Sequence, residues 1–154
     1  MKLAYLVDHP EFYPLIAQWN WDEWHTLLVE RSAAEFEAWL RKNVRRHAIP
    51  TTLLALDGVA VIGTVSIMDY DLELSNDLSP WLASLYVAPS HRGKGVGRAL
   101  VQAAVEEATR LGFRSLYLYT PGQEAFYSAL GWKRVESIRY RERSITIMRR
   151  NLGI

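Results

Sequence analysis

At 154 residues, 49% hydrophobic and 23% charged, the chain is long enough for one domain around a single core and has the balance of an ordinary globular protein. Eighteen Lys and Arg against seventeen Asp and Glu leave a formal charge of +1, so no global field favours nucleic acid and any anion site must be local. The absence of cysteine excludes disulfides, thiolate metal sites and a cysteine nucleophile; charge enters too early after Met1 for a signal-peptide core, no apolar run approaches bilayer length, and the expected location is cytoplasmic.

Asp8-His9-Pro10-Glu11 combines a capping acid, a proline suited to a first turn and a glutamate three residues past the cap, which predicts a helix start. Ser32-Ala33-Ala34-Glu35 repeats the signal before Phe36, Trp39, Leu40 and Val44 at helical spacing, so two helices lead the fold. Trp19, Trp21 and Trp24 crowd the end of the first. Packing over a sheet is the favoured reading; Trp21 and Trp24 are the candidates for an aromatic wall facing a substrate. Lys42 and Arg45-Arg46-His47, without interleaved aromatics, read as cations at a helix end rather than a nucleic-acid patch.

Thr51 to Leu56 and Val59 to Met68 are rich in β-branched and apolar residues, and Asp57-Gly58 between them is a strong hairpin signal. The stretch from Asp69 to Asp77 is acidic. It reads first as a solvated loop and second as a wall for a cationic amine, with Glu73 and Asp77 as the acids. Ser79-Pro80 marks a turn, and a third long strand runs from Trp81 to about Val87.

After a glycine turn at Arg92-Gly93-Lys94-Gly95-Val96-Gly97-Arg98, residues Leu100, Val101, Ala104, Val105, Ala108 and Leu111 form an apolar helical stripe. Glu106, Glu107 and Arg110 are expected to face away, and Gly112 to stop the helix. Ser115 to Thr120 reads as a strand, so strand, helix and strand make a parallel, right-handed crossover. A short helix from about Gln123 to Leu130 ends at Gly131, and Trp132 to Tyr140 and Ser144 to Arg149 close the chain as a hairpin around Arg141-Glu142-Arg143. No repeat or linker divides the chain. The expectation is one α+β domain spanning 1–154: a mixed, mostly antiparallel central sheet with a parallel β-α-β unit, two leading helices and a C-terminal hairpin.

The glycine turn is a phosphate cradle in outline, because it places unpaired backbone N–H groups and the basic Arg92, Lys94 and Arg98 at the positive end of a helix. It lacks the G-x-x-x-x-G-K-[ST] spacing of nucleotide-hydrolysing P-loops, and it lies in mid-chain, unlike a dinucleotide fold that opens on its glycines. His9, His25, His47 and His91 have no metal-ligand spacing, and no metal is expected.

Arg92 to Gly97 matches the Q/R-x-x-G-x-G/A coenzyme A motif, preceded by Leu85-Tyr86-Val87-Ala88-Pro89 and followed by Phe126-Tyr127-Ser128-Ala129-Leu130-Gly131-Trp132. In this order and spacing the chain resembles the GCN5-related N-acetyltransferase (GNAT) superfamily over nearly its whole length. The resemblance implies acetyl-CoA as cofactor, its pyrophosphate on the N–H groups from Gly93 to Arg98 and its pantetheine along Leu85, Tyr86 and Val87. Thr120, Gln123 and Tyr127 complete the cofactor set. A backbone N–H near Val87 is the expected donor to the acetyl oxygen, and Tyr127 the acid that protonates the leaving thiolate.

The base is open, since the strand that holds the thioester begins Trp81-Leu82-Ala83-Ser84 without a carboxylate. Ser84 through an ordered water, Glu73 or Asp77 from the preceding segment, and bulk water all remain. What the resemblance implies is N-acetylation of a primary amine on a small molecule by direct attack in a ternary complex. A protein N-terminal or lysine acyltransferase and a non-catalytic acetyl-CoA sensor are the alternatives. The expected partner is a small-molecule amine, with neither nucleic acid nor membrane; the resemblance also implies a homodimer, for which the final hairpin offers an interface.

Overall fold

The computed structural model describes residues 1–27, 30–70 and 77–153. Among the described residues seven strands, β1 Lys2–Tyr5, β2 Thr51–Asp57, β3 Ala60–Met68, β4 Trp81–Val87, β5 Ser115–Thr120, β6 Lys133–Tyr140 and β7 Arg143–Asn151, form one sheet in the order β1-β2-β3-β4-β5-β7-β6, antiparallel throughout except between β4 and β5.

The chain opens with a strand that the sequence reading did not anticipate: β1, Lys2–Tyr5, pairs antiparallel with β2, Thr51–Asp57, with Leu3 opposite Ala55. The first helix begins near the expected Asp8-His9-Pro10-Glu11: a separate 3-10 turn, Leu6–Asp8, precedes it, and a second, Pro10–Phe12, with proline in its first turn, runs directly into α1, Tyr13–Trp24. The expected capping acid does not cap: no side chain caps the Pro10–Phe12 turn, and the Asp8 carboxylate pairs with Arg46 instead. In α2, Ala33–Asn43, the predicted cap is real: the Ser32 hydroxyl accepts the Glu35 N–H at 3.1 Å.

β2 and β3, Ala60–Met68, are buried on both faces because helices cover each side. Leu54 and Leu56 turn toward Leu6, Ile16, Phe36 and Leu40 under α1 and α2. Their alternates Leu53 and Ala55 pack with Leu100, Val101 and Ala104 of α3, Val96–Arg110. Gly63 sets how close α3 comes: a Cβ there would lie 2.8 Å from Leu100 Cδ1 and 3.1 Å from the Tyr86 carbonyl oxygen.

One face of α3 differs from expectation. Glu107 is 1% exposed, not facing away, and its Oε2 accepts the Tyr5 hydroxyl at 2.9 Å while Oε1 pairs with Arg110. A buried carboxylate needs such partners, and β1 supplies one.

β4, Trp81–Val87, begins beside β5, Ser115–Thr120, and then leaves it. Trp81 opposite Tyr117 is the one register pair between them, supported by the Tyr117 N–H to Pro80 carbonyl bond of 3.0 Å. On its other edge β4 keeps pairing with β3, through a bulge in which Ser84 and Leu85 together face Val65. Ser84 takes φ of +58°, a left-handed conformation in which an L-residue is uncommon.

β5 instead pairs along its whole length with β7, Arg143–Asn151, which pairs with β6, Lys133–Tyr140. The hairpin turns on Arg141 and Glu142, both with positive φ, as tight hairpins require. α4, Glu124–Ala129, bridges β5 and β6. No helix among the described residues is long and apolar enough to cross a membrane.

Candidate active site

The glycine turn delivers the chain from β4 into α3. Gly93 and Gly95 take φ of +75° and +83°, and a Cβ at either would meet nothing within 4 Å. Backbone conformation, not crowding, demands glycine at these two positions. No side chain caps α3, and its first internal bond runs from the Ala99 N–H to the Gly95 carbonyl at 3.0 Å. The N–H groups of Val96, Gly97 and Arg98 therefore have no carbonyl one turn back to bind, at the positive end of the helix.

Lys94 and Arg98 are exposed beside this opening. Arg92 is more committed: its Nε donates to the Val87 carbonyl at 2.9 Å and its guanidinium lies 5.4 Å from the Tyr86 ring centroid. It ties the turn to β4 as well as adding charge.

Where β4 leaves β5, a cavity of about 310 Å³ opens. Its walls are Leu82, Ala83, Ser84 and Leu85 of β4, Leu118, Tyr119 and Thr120 of β5, then Pro121, Gln123 and Tyr127, with Glu23 and Trp24 from the end of α1. The Thr120 hydroxyl accepts the Gln123 N–H at 2.9 Å and so fixes the entry into α4. Tyr127 follows one turn later. Its ring lies edge-on to Phe126 at 5.0 Å and to Trp132 at 6.0 Å, and the Trp132 N–H returns to its carbonyl at 3.1 Å. Burial pushes the Tyr127 phenol up to about 12, so it keeps its proton throughout the neutral range.

Of the sequence candidates, the fold brings Ser84, Leu85, Thr120, Gln123, Tyr127 and Trp24 to one cavity. Val87 is not on its wall: it lies past the bulge, in register with Gly63, and its carbonyl receives Arg92. Tyr86 packs against Trp19, ring centroids 4.9 Å apart, and so anchors α1 on the sheet. Trp21 turns away to His25 at 5.5 Å. Asp77 is exposed and off the wall, and Glu73 lies outside the described residues.

Glu23 and Tyr119 are wall residues that the sequence reading missed. Tyr119 occupies an ordinary strand position, and Glu23 looks like any solvated helix acid until topology sets the end of α1 against β4.

A family model described as the acetyltransferase (GNAT) family matches residues 13–132. Among solved structures, an aminoglycoside 6'-N-acetyltransferase complexed with coenzyme A superposes with a TM-score of 0.78 at 16% identity, covering 100% of this chain and 98% of that one. The ribosomal-protein-alanine N-acetyltransferase from Brucella melitensis gives 0.77 at 19% identity over 99% of this chain and 100% of its own. The Salmonella typhimurium protein yncA with its cofactor acetyl-CoA gives 0.73 at 20% identity over 99% and 94%. No curated protein matches the chain by sequence. With its fold shared by these structures and its sequence matched by the family model over most of its length, the chain belongs to the acetyltransferase (GNAT) family, the acetyl-CoA-dependent enzymes that its glycine turn resembles.

Proposed function

We propose that this single-domain protein transfers the acetyl group of acetyl-CoA to a primary amine of a small molecule, by direct attack in a ternary complex in the cytoplasm. One observation carries the reading: the strand that feeds the uncapped glycine turn is the strand that parts from its neighbour, and Tyr127 stands on the cavity so made.

The residues present fit coenzyme A. Gly93 and Gly95 hold the left-handed turn, and the first N–H groups of α3 suit a pyrophosphate. The open edge of β4 suits an extended arm that pairs like an added strand. When bound, acetyl-CoA supplies an activated acetyl thioester with a thiol as leaving group.

Around it the chain's own groups divide the work. The β4 bulge, where Ser84 and Leu85 face the cavity, is the place for a backbone N–H to meet charge that develops on the carbonyl oxygen. That moves the donor from the neighbourhood of Val87 to that of Leu85.

The amine attacks unprotonated, its ammonium proton passing to water at the exposed side of the cavity, where Glu23, Pro121 and Gln123 lie. Tyr127 gives its proton to the departing sulfur, and the second proton that the nitrogen sheds restores the phenol. With its phenol held at about 12, Tyr127 stays protonated and is available as the donor, and full transfer of its proton is coupled to that replacement.

The test is release of free thiol from acetyl-CoA in the presence of a panel of small amines. Amine-dependent release that falls sharply in Tyr127→Phe supports the reading. Tight acetyl-CoA binding without release for any amine favours a sensor.

A further inference from the structure

The acceptor side of the cavity has a definite electrostatic character. Among the described residues its wall carries one carboxylate, Glu23, and no Lys, Arg or His. Glu23 is exposed and Trp24, beside it, is half-buried, so a carboxylate and an indole come from consecutive residues at the end of α1 to the same opening. Arg141, which brings the tip of the final hairpin to this end of α1, is committed elsewhere: it donates to the Thr26 carbonyl at 2.8 Å and lies 5.3 Å over the Tyr140 ring.

From this arrangement we infer that Glu23 and Trp24 form a cation-recognising subsite that selects alkylammonium acceptors without an adjacent carboxylate or phosphate. The inference rests on the acetyl-transfer reading for its purpose and on wall chemistry for its content. An ammonium gains a charge-assisted hydrogen bond from Glu23 and the face of an aromatic ring from Trp24. An acceptor carrying its own anion beside the amine brings a negative group toward Glu23 with no basic side chain on the described wall to receive it. The subsite therefore works by attraction for one class and by an unpaired charge for the other.

Butylammonium, 1-butanol and zwitterionic norvaline, which is butylammonium with a carboxylate on the carbon that bears the amine, separate these effects when titrated into the full chain, with the Trp24 indole resonance, identified through Trp24→Phe, as the readout. Butylammonium is expected to shift that resonance; the alcohol and the zwitterion are expected to leave it in place at the same concentration. Glu23→Gln should weaken the butylammonium response by about fivefold, the scale of one exposed ion pair. Glu23→Lys should abolish it. Glu23 is exposed, so neither change threatens the core.

A response unchanged in Glu23→Gln, or equal for the alcohol, overturns the subsite. The binding test does not depend on turnover. Glu23-dependent binding with no thiol release from any amine leaves the subsite standing and removes the acetyl-transfer reading. Amine acetylation that Glu23→Gln changes by less than twofold in kcat/KM does the reverse.

Discussion

Trp81 is in register with Tyr117 across the parallel pair of strands, and from there β4 and β5 separate. Their rings lie 5.9 Å apart, and the Trp81 Nε1–H donates to the Leu78 carbonyl at 2.6 Å. The pair closes one end of the slot whose other end is the candidate active site. Trp81 is fully buried. Trp81→Ala is expected to cost about 3–5 kcal/mol in urea unfolding, and Trp81→Phe clearly less, since only the indole donor and part of the ring are lost.

At the cradle, Gly95→Val places a β-branched residue at φ of +83° and a side chain where a pyrophosphate has to approach. Calorimetry should show acetyl-CoA binding weakened by at least about tenfold, or 1.4 kcal/mol. Unfolding measured in parallel separates backbone strain from loss of the site. Unchanged affinity in a folded variant would exclude this turn as the pyrophosphate site.

Removing the proposed acid has a different signature. Tyr127→Phe should lower kcat by about 10²–10⁴-fold while leaving the acetyl-CoA dissociation constant within a factor of about three, because the ring still packs and only the proton is lost.

The same phenol makes an alkaline prediction. Its folded-state value of about 12 lies above its ordinary value of 10.0, so the folded protein holds this proton longer than the unfolded chain. That contribution is complete below pH 10 and is lost as pH rises toward 12, by about 2–3 kcal/mol. Unfolding free energy measured across this window should fall less steeply in Tyr127→Phe than in the native chain. Some decline persists, because burial raises Tyr5 and Tyr13 as well.

Far from the cavity, Tyr5→Phe removes a donor from the buried Glu107 carboxylate and leaves it to Arg110. The expected cost is about 1–3 kcal/mol in urea unfolding. The acetyl-CoA dissociation constant should be unchanged, since this cluster joins β1 to the opposite end of α3 from the cradle.

The elements that carry strong local signals were legible in the chain. Ser32 caps α2, Asp57-Gly58 turns a hairpin, Gly112 and Gly131 end helices, and β4 has the bounds its apolar run implies. The left-handed glycines of the turn and the place of Tyr127 in the chain just after β5 were legible for the same reason, since backbone conformation and motif spacing are local properties. What was not legible depends on distant partners. The helix starts where Pro10 allows, but Asp8 is not its cap, because Arg46, thirty-eight residues on, takes the Asp8 carboxylate. β1 is four residues long and exists through pairing with β2, and without it Glu107 reads as a solvated acid. Glu23 reached the cavity by topology alone, and a backbone donor of the kind proposed at the Ser84-Leu85 bulge leaves no side-chain record.

The most direct measurement is a crystal structure of this chain with acetyl-CoA. The pyrophosphate is predicted within hydrogen-bonding distance of the N–H groups of Val96, Gly97 and Arg98, with the thioester between β4 and β5 against Ser84 and Leu85 and its sulfur beside the Tyr127 hydroxyl. A pyrophosphate bound away from α3, or a thioester outside the slot between the two strands, would contradict this assignment.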